Sequence, residues 1–178
     1  HGVKAELSYL EKIVSLMNEQ ITKEFYSAYL YLDFANFYES KGLLGFANWF
    51  KIQGKEELDH GMLFYQYLQN NGEKVKFESI DAPNIILETL MDPLEESLKH
   101  EEFVTDCINK IYREAEMLKD YRSMKFLDWF INEQAEEETS AQELISKMEL
   151  FGEDSSGLYL LDKECGKRGY SAPDYDFG

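Results

Sequence analysis

The chain has 178 residues, of which 44% are hydrophobic and 15% aromatic, so it is long enough for one well-buried domain and short for two. Asp and Glu number 35 against 18 Lys and Arg, and the formal net charge of -17 argues against binding to nucleic acid or to an anionic membrane, since both require basic surfaces. Two cysteines are too few for a disulfide scaffold, and no apolar run approaches the roughly 20 residues of a membrane span.

Only three prolines and eleven glycines interrupt the chain, which favours an all-α fold. The first helix is expected from about Ser8 to about Glu39, because apolar residues recur at steps of four and three, as on one face of a packed helix. Glu24 is the only acidic residue within that apolar stripe. The helix is expected to end before Gly42, since glycine suits the left-handed position that closes many helices.

Four aromatic residues of the first helix lie off its apolar stripe and would be exposed to solvent in an isolated bundle: Tyr26, Tyr29, Phe34 and Phe37. A broad core face would cover them, but large exposed apolar patches usually mark contacts between proteins. We therefore expect these aromatic residues to contact another subunit.

The second helix is expected between Leu44 and Asn70, and Asn71-Gly72 is a strong stop signal. Glu57 and His60 lie in the middle of its apolar stripe, three residues apart and so on the same side of the helix. A Glu-x-x-His pair that projects into a helical bundle can hold a carboxylate-bridged metal. Taken alone, such a pair is more often a salt-linked surface patch.

Residues 72–91 break the helical pattern, and Pro83 argues against a helix there. About 20 residues can extend over more than roughly 60 Å, whereas the second helix is about 40 Å long. The link can therefore run the whole length of the bundle and leave the second and third helices parallel. The short link before Leu44 instead makes the first two helices antiparallel neighbours.

The third helix is expected to begin at Asp92, with Asp92 as N-cap, Pro93 in the first helical position and Glu95 reaching back. It is expected to end near Asp120, and Glu101 lies inside its apolar stripe.

The fourth helix is expected from about Ser123 to Leu150, with Glu137 central in its stripe, and a short apolar helix follows over residues 158–164. The last residues lack any periodic pattern. We therefore expect one domain over residues 1–166 and a mobile tail over residues 167–178.

Each of the four long helices thus carries one glutamate on its inward face: Glu24, Glu57, Glu101 and Glu137. A buried, unpaired carboxylate is costly, so four that converge need protons, Lys or Arg side chains, or bound cations. No Lys or Arg lies in the stripes near them, and two divalent ions would balance the four charges. Oxygen ligands with His60 as the one nitrogen suit iron, manganese or zinc. The pattern predicts a dinuclear metal centre.

Five segments around these residues resemble the ferritins, and most of all the bacterial non-haem ferritins: residues 24–31, 56–60, 99–101, 132–138 and 157–163. Each motif alone is unspecific, but their order over residues 6–166 is specific. The resemblance implies a ferritin-like four-helix bundle with a long crossover between the second and third helices and a short fifth C-terminal helix.

The resemblance also implies which residues bind iron. One iron would bind Glu24, Glu57 and His60, and the second would bind Glu57, Glu101 and Glu137, with Gln134 close by. Glu57 would bridge the two ions. A third iron would bind Glu56, Glu133, Glu136 and Glu137, although a solvated helix edge is the alternative for the first three of these. Tyr31 would lie beside the first iron, and core packing is its alternative role.

At two positions the sequence departs from related groups of proteins, and these differences argue against the haem-binding ferritins and the rubrerythrins. In the haem-binding ferritins a Met that ligates haem follows the bridging Glu, whereas here the residue is Leu58, so no haem is expected. Those proteins and the rubrerythrins carry a second Glu-x-x-His on the fourth helix, whereas here Ser140 occupies the position of the histidine. The expected site is therefore asymmetric.

The function that the resemblance implies is iron storage and detoxification by a ferroxidase. It would oxidise Fe(II) to Fe(III) with dioxygen or hydrogen peroxide and store the product as a ferric mineral in a homo-oligomeric, 24-subunit cage. The alternatives are a non-storage di-iron oxidoreductase or peroxide scavenger, and a non-catalytic helical assembly. The missing second histidine and the lack of a Cys-x-x-Cys module argue against the scavenger.

Cysteine usage is consistent with a reducing compartment, so a cytoplasmic protein is expected. Because the chain begins with His1-Gly2 rather than Met, the sequence leaves open whether these residues are the remnant of a tag or follow a leader that has been removed.

Overall fold

Five α-helices form the structure, which is a computed structural model that describes the backbone of residues 2–178 and the side chains from Leu10 onward. They are α1 (Gly2–Ser40), α2 (Leu44–Asn70), α3 (Asp92–Leu118), α4 (Tyr121–Phe151) and α5 (Ser155–Cys165). None of these described residues lies in a β-strand, so the predicted all-α class is confirmed. No helix in this part of the chain is both long and apolar enough to cross a lipid bilayer.

Contacts between helix ends establish the directions of the four long helices. Lys12, near the start of α1, donates to Glu114, near the end of α3, at 2.9 Å, so α1 and α3 are antiparallel. Met17 of α1 lies in the same apolar cluster as Phe64, near the end of α2, so α1 and α2 are antiparallel as well. It follows that α2 and α3 are parallel, as the long link between them predicts.

The crossover of residues 71–91 is fastened to α1 at two separate points. Near its start, the Asn18 side chain donates to the carbonyl oxygen of Lys74 at 3.0 Å. Near its end, the Tyr38 hydroxyl donates to the carbonyl oxygen of Leu90 at 2.6 Å. Asn18 and Tyr38 are about 30 Å apart along a helix, so the crossover spans the bundle as predicted.

The apolar core is divided into two clusters, one toward each end of the bundle. The first joins the end of α1 to the start of α2 and to the ends of α4 and α5, and includes Tyr31 and Phe50. The second joins the start of α1 to the end of α2 and to the facing parts of α3 and α4, and includes Ile21, Phe64 and Phe130. Between the two clusters, the buried positions of all four long helices are mainly polar, and they form the site described below.

The start of α3 differs from the prediction. Asp92 is the first helical residue, and Met91 occupies the N-cap position without a side-chain cap. The Asp92 carboxylate instead accepts from the backbone N–H groups of Thr89 and Glu88, both at 2.8 Å, and these bonds lower its pKa. Asp92 therefore closes the turn that ends the crossover, while Pro93 lies in the first turn of the helix.

The prediction that Phe34 contacts another subunit is wrong, because Phe34 is fully buried in the core. Its ring packs edge-on against Phe50, with 5.6 Å between the ring centroids. α1 contacts both α2 and α3 and carries the crossover, so its apolar face is wider than one stripe. Tyr26 and Phe37 are half-buried against the same cluster, whereas Tyr29 is 50% exposed and remains open to a contact between subunits.

α5 packs across the start of α2 at a point where only glycine fits. A Cβ atom at Gly45 would lie 1.6 Å from the carbonyl oxygen of Asp162. This close approach lets the Asp162 carboxylate accept from the backbone N–H of Phe46 at 2.9 Å. Leu161 and Cys165 are buried at the same contact, so α5 brings the C-terminal residues to the side of α2.

Candidate metal centre

Four carboxylates and one imidazole meet between the two apolar clusters. Each long helix contributes one glutamate and α2 also contributes the histidine; the exposed fractions are 0% for Glu24 and Glu57, 1% for Glu101, 7% for Glu137 and 2% for His60. Four apolar stripes with one glutamate each are thus brought to one buried place.

The five side chains form two overlapping groups, each compact enough to share one ion. Glu24, Glu57 and His60 can each place one ligand atom within 4.8 Å of the others, and so can Glu57, Glu101 and Glu137. Glu57 belongs to both groups, and this is the division into two iron positions that the resemblance implies. His60, Glu133 and Glu137 form a third group in which the ligand atoms lie within 4.8 Å of one another, and Glu133 lies on the outer side of the centre.

Two buried glutamines orient the carboxylates, and neither was predicted as a site residue. Gln20 donates to Glu24 Oε1 at 3.0 Å. Gln53 donates to Glu57 Oε1 at 3.0 Å and to Glu137 Oε2 at 2.5 Å, so it links carboxylates from two helices. Each glutamine precedes its glutamate by four residues on the same helix face, and this spacing is the signal that could have identified both.

Glu101 is held by two side chains that were predicted near the site. Gln134 donates to Glu101 Oε2 at 3.1 Å and, from the same nitrogen, to the backbone carbonyl of Glu101 at 3.1 Å. The Tyr31 hydroxyl donates to Glu101 Oε1, so it contacts a residue of the second group, whereas the resemblance implies a place beside the first. Burial raises the pKa of Tyr31 well above its usual value, so this hydroxyl stays protonated and acts as a donor.

Burial raises the pKa of three of the four carboxylates because the charged form loses its hydration. For Glu57 desolvation is the largest cause, followed by the charges of Glu101 and Glu24. Desolvation also raises the pKa of Glu101 to about 7, although the hydrogen bonds to its carboxylate oppose the shift. The pKa of Glu137 is raised by desolvation and then by the charge of Glu101.

The centre offers ligand atoms without a neutralising side chain. In the described part of the chain, no Lys or Arg forms an ion pair with the four central glutamates. Glu24 Oε2 is buried and has no hydrogen-bond partner. A buried oxygen without a partner is costly, and Glu24 belongs to the group with Glu57 and His60. The residues therefore fit a pair of divalent cations.

The other three residues expected to bind a third iron, here called the outer acids, differ in their surroundings: they are Glu56, Glu133 and Glu136. Glu133 lies 3.8 Å from His60 Nε2 and can share an ion with His60 and Glu137. Glu56 instead pairs with Arg168 at 3.2 Å, and Glu136 is exposed. All three line one open cavity of about 490 Å³, which Gln53 and Glu137 also line. Within the described residues, Glu56 and Glu136 do not join a group that can share an ion.

Comparison with known families supports a metal-binding assignment. The Ferritin-like domain family matches residues 14–151 of the chain. A bacterial non-heme ferritin of Staphylococcus aureus is 34% identical over 158 residues, which cover 89% of this chain and 95% of the relative. A probable bacterial non-heme ferritin-like protein of Haemophilus influenzae is 33% identical over 156 residues, which cover 88% and 94%.

Solved structures agree with these matches. An open pore ferritin from the archaeon Archaeoglobus fulgidus superposes with a TM-score of 0.87 at 39% identity, over 89% of this chain and 97% of that one. A closed form of the same ferritin, engineered by mutagenesis, gives a TM-score of 0.88 at 38% identity, over 90% and 98%. About nine tenths of the chain therefore share their fold with ferritins of known structure.

Proposed function

This chain belongs to the ferritin family, and on that premise we propose that it stores iron after oxidising Fe(II) to Fe(III) between its four long helices. One observation carries the proposal: two groups of buried ligands share Glu57, and no Lys or Arg among the residues whose side chains are described pairs with their glutamates. The two substrate ions supply the positive charge that the folded centre lacks.

The central residues bind the two substrate ions in different ways. Glu24, Glu57 and His60 would hold one Fe(II), and Glu57, Glu101 and Glu137 would hold the other, with Gln134 beside it. Such two-metal sites place their ions about 3.5–4 Å apart. Anionic oxygen ligands favour Fe(III) over Fe(II), so the centre lowers the cost of oxidation, and dioxygen or hydrogen peroxide accepts the electrons. Tyr31 holds Glu101 in place through its hydroxyl.

The outer acids serve the next stage of the cycle. Glu133 can share an ion with His60 and Glu137, so it offers an oxidised ion a position at the rim of the centre. Glu56 and Glu136 line the cavity that continues outward from this rim. We propose that a third iron passes through, or rests at, this set of acids.

Storage requires a hollow shell, and we propose the 24-subunit cage of the family for this chain. The structural neighbours are ferritins, and large apolar side chains remain exposed on the single chain, including Tyr29 and Leu32 on α1. A cytoplasmic location is part of the same proposal.

The test of the proposed function is the substitution Glu57→Ala. We expect initial Fe(II) oxidation, followed by the absorbance of Fe(III), to slow by about 100-fold or more, because both ions lose a ligand. Glu102→Ala is the matched control, since Glu102 is exposed on α3 and should leave the rate unchanged. Equal initial rates in Glu57→Ala and the parent chain would refute the assignment. Thermal melting of both variants shows that the bundle is intact.

A further inference from the structure

Residues 167–178 lie along the groove between α2 and α4, on the outer side of the metal centre. Tyr170 donates to Asp59 Oδ2 at 2.5 Å, and Trp129 donates to Asp174 Oδ1 at 2.7 Å. Farther along, Tyr175 packs edge-on against Phe126, with 5.5 Å between the centroids. The segment therefore runs from the start of α2 toward its end. The Ferritin-like domain match stops at residue 151, well before this segment begins.

Arg168 anchors the segment at the acidic cavity. Its guanidinium donates to Glu56 Oε2 at 3.2 Å and to the carbonyl oxygen of Trp49 at 3.1 Å, and it stacks 4.2 Å from the centroid of the Trp49 ring. The carbonyl oxygen of Arg168 accepts from the Asn48 side chain at 3.2 Å. The side chains of Arg168 and Glu56 are only 21% and 17% exposed, so water screens this pair less than an ordinary surface pair.

The contact residues adjoin the centre. Glu56 precedes Glu57 in the chain, and Asp59 precedes His60. The Trp129 ring, which donates to the tail, also packs on the His60 ring with 5.4 Å between the centroids. The start of the tail thus lies beside the acidic cavity, which Arg168 lines together with Glu56 and Glu133.

We infer that Arg168 is a tethered cation that competes with a third metal ion for Glu56, and that residues 167–178 form a strap which must shift when that ion binds. A guanidinium at Glu56 supplies the charge that a cation in the cavity would supply, so the two cannot occupy the carboxylate together without repulsion. The strap keeps Arg168 paired with Glu56 while only the two inner ions are bound. This inference rests on the proposed function, because it assumes that metal ions reach the outer acids.

From Tyr170 to Asp174 the strap is held by hydrogen bonds at the surface, whereas Tyr175 packs against the apolar core. The part of the strap next to Arg168 can therefore shift without unfolding the bundle. Tyr170 and Asp174 are exposed, and their hydrogen bonds join the tail to the surface of α2 and α4 rather than to the core. The mobility expected for residues 167–178 remains a prediction, and displacement of the strap by metal would be one source of it.

Zn(II) binding to the metal-free full chain, measured by titration calorimetry, tests the inference. The parent chain should bind two ions per subunit tightly and a third weakly. Arg168→Gln should bind the third ion about tenfold more tightly, because the competing charge is gone. Arg168→Lys keeps the charge and should resemble the parent chain. Lys163→Gln removes an equal charge from an exposed position on α5 and should change nothing.

Two further results separate the possible failures. Adding Glu56→Gln to Arg168→Gln should return the third ion to weak binding, and amide exchange over residues 168–178 should rise when the parent chain is saturated with Zn(II). Two tight ions with an unchanged third in Arg168→Gln would overturn the role of Arg168 alone. A parent chain that binds no pair of tight ions would instead count against the proposed function.

Discussion

Gln53 donates to two carboxylates that come from different helices, Glu57 and Glu137. The amide holds one oxygen of each carboxylate in place before any ion arrives, so less ordering is required at the moment of binding. It also gives the charged form of Glu137 a donor, which opposes the effect of burial on its pKa. At the scale of single residues, the site is therefore built by uncharged donors as much as by ligands.

Replacing Gln53 should weaken the centre without removing a ligand. We expect Gln53→Leu to lower Zn(II) affinity at the inner pair and to slow Fe(II) oxidation, each by about 10-fold to 100-fold, because two carboxylates lose their orientation. Gln66→Leu makes the same change at an exposed position of α2 and should have no effect. Unaltered affinity in Gln53→Leu would show that the glutamine only fills space.

The raised pKa of Glu101 gives the metal-free protein a defined pH dependence. Because the pKa is about 7 in the folded chain and 4.5 for an ordinary Glu, the folded state binds more protons than the unfolded state between those values. The free energy of unfolding is therefore highest below about pH 4.5 as far as this group is concerned, and falls as the pH rises through about 7. The loss from this group is on the order of 3 kcal/mol.

Denaturant unfolding of the metal-free chain at pH 5 and pH 8 measures this dependence. Glu101→Gln should reduce the fall in stability, since the amide has no proton to lose, whereas Glu102→Gln at the exposed neighbouring position should not. Saturation with Zn(II) should remove most of the loss at pH 8, because the ions neutralise the carboxylates. A parent chain whose stability falls from pH 5 to pH 8 no more than that of Glu101→Gln would contradict this account.

At the scale of whole helices, the sequence predicts the features that follow helical periodicity but not the contacts that depend on a single close approach between distant residues. The steps of four and three place Glu24 and Glu101 on inward faces because helical periodicity and burial are linked. The contact of α5 with α2 has no such signal, because it depends on a close approach between Gly45 and Asp162, more than 100 positions apart in the chain. Arg168 escaped prediction for the same reason, since a segment without periodicity reveals no partner.

Gly45→Ala tests how tightly α5 depends on that approach. The added Cβ would clash with the Asp162 carbonyl, which is backbone and cannot rotate away, so α5 must shift or detach. We expect a lower melting temperature and faster amide exchange over residues 155–165, at a cost of about 2 kcal/mol or more. Gly169→Ala is the control, because a Cβ there meets no neighbouring atom within 4 Å. Equal melting temperatures for the two variants would show that the contact is not needed.

For the whole molecule, the single chain leaves apolar surface that one bundle cannot cover. Tyr29 is 50% exposed and Leu32 is 49% exposed, and the two lie three residues apart on one face of α1. The core next to them is complete, since Phe34 and Tyr31 are fully buried. The exposed pair is therefore not a missing part of this subunit's core, and a second subunit is the expected cover.

Sedimentation velocity on Leu32→Arg tests whether a second subunit contacts Leu32. It also tests whether iron storage, unlike iron oxidation, depends on the assembled shell. A charge placed in an apolar contact between subunits loses its hydration without a partner, so the shell should dissociate into smaller species. Those species should still oxidise the first two Fe(II) ions per subunit, because Leu32 lies outside the centre, but should retain little ferric mineral in solution. Gln69→Arg, at an exposed polar position of α2, adds the same charge and should leave the shell intact. A parent chain that sediments as a monomer or dimer would favour a scavenger over a storage protein, whatever its oxidation rate.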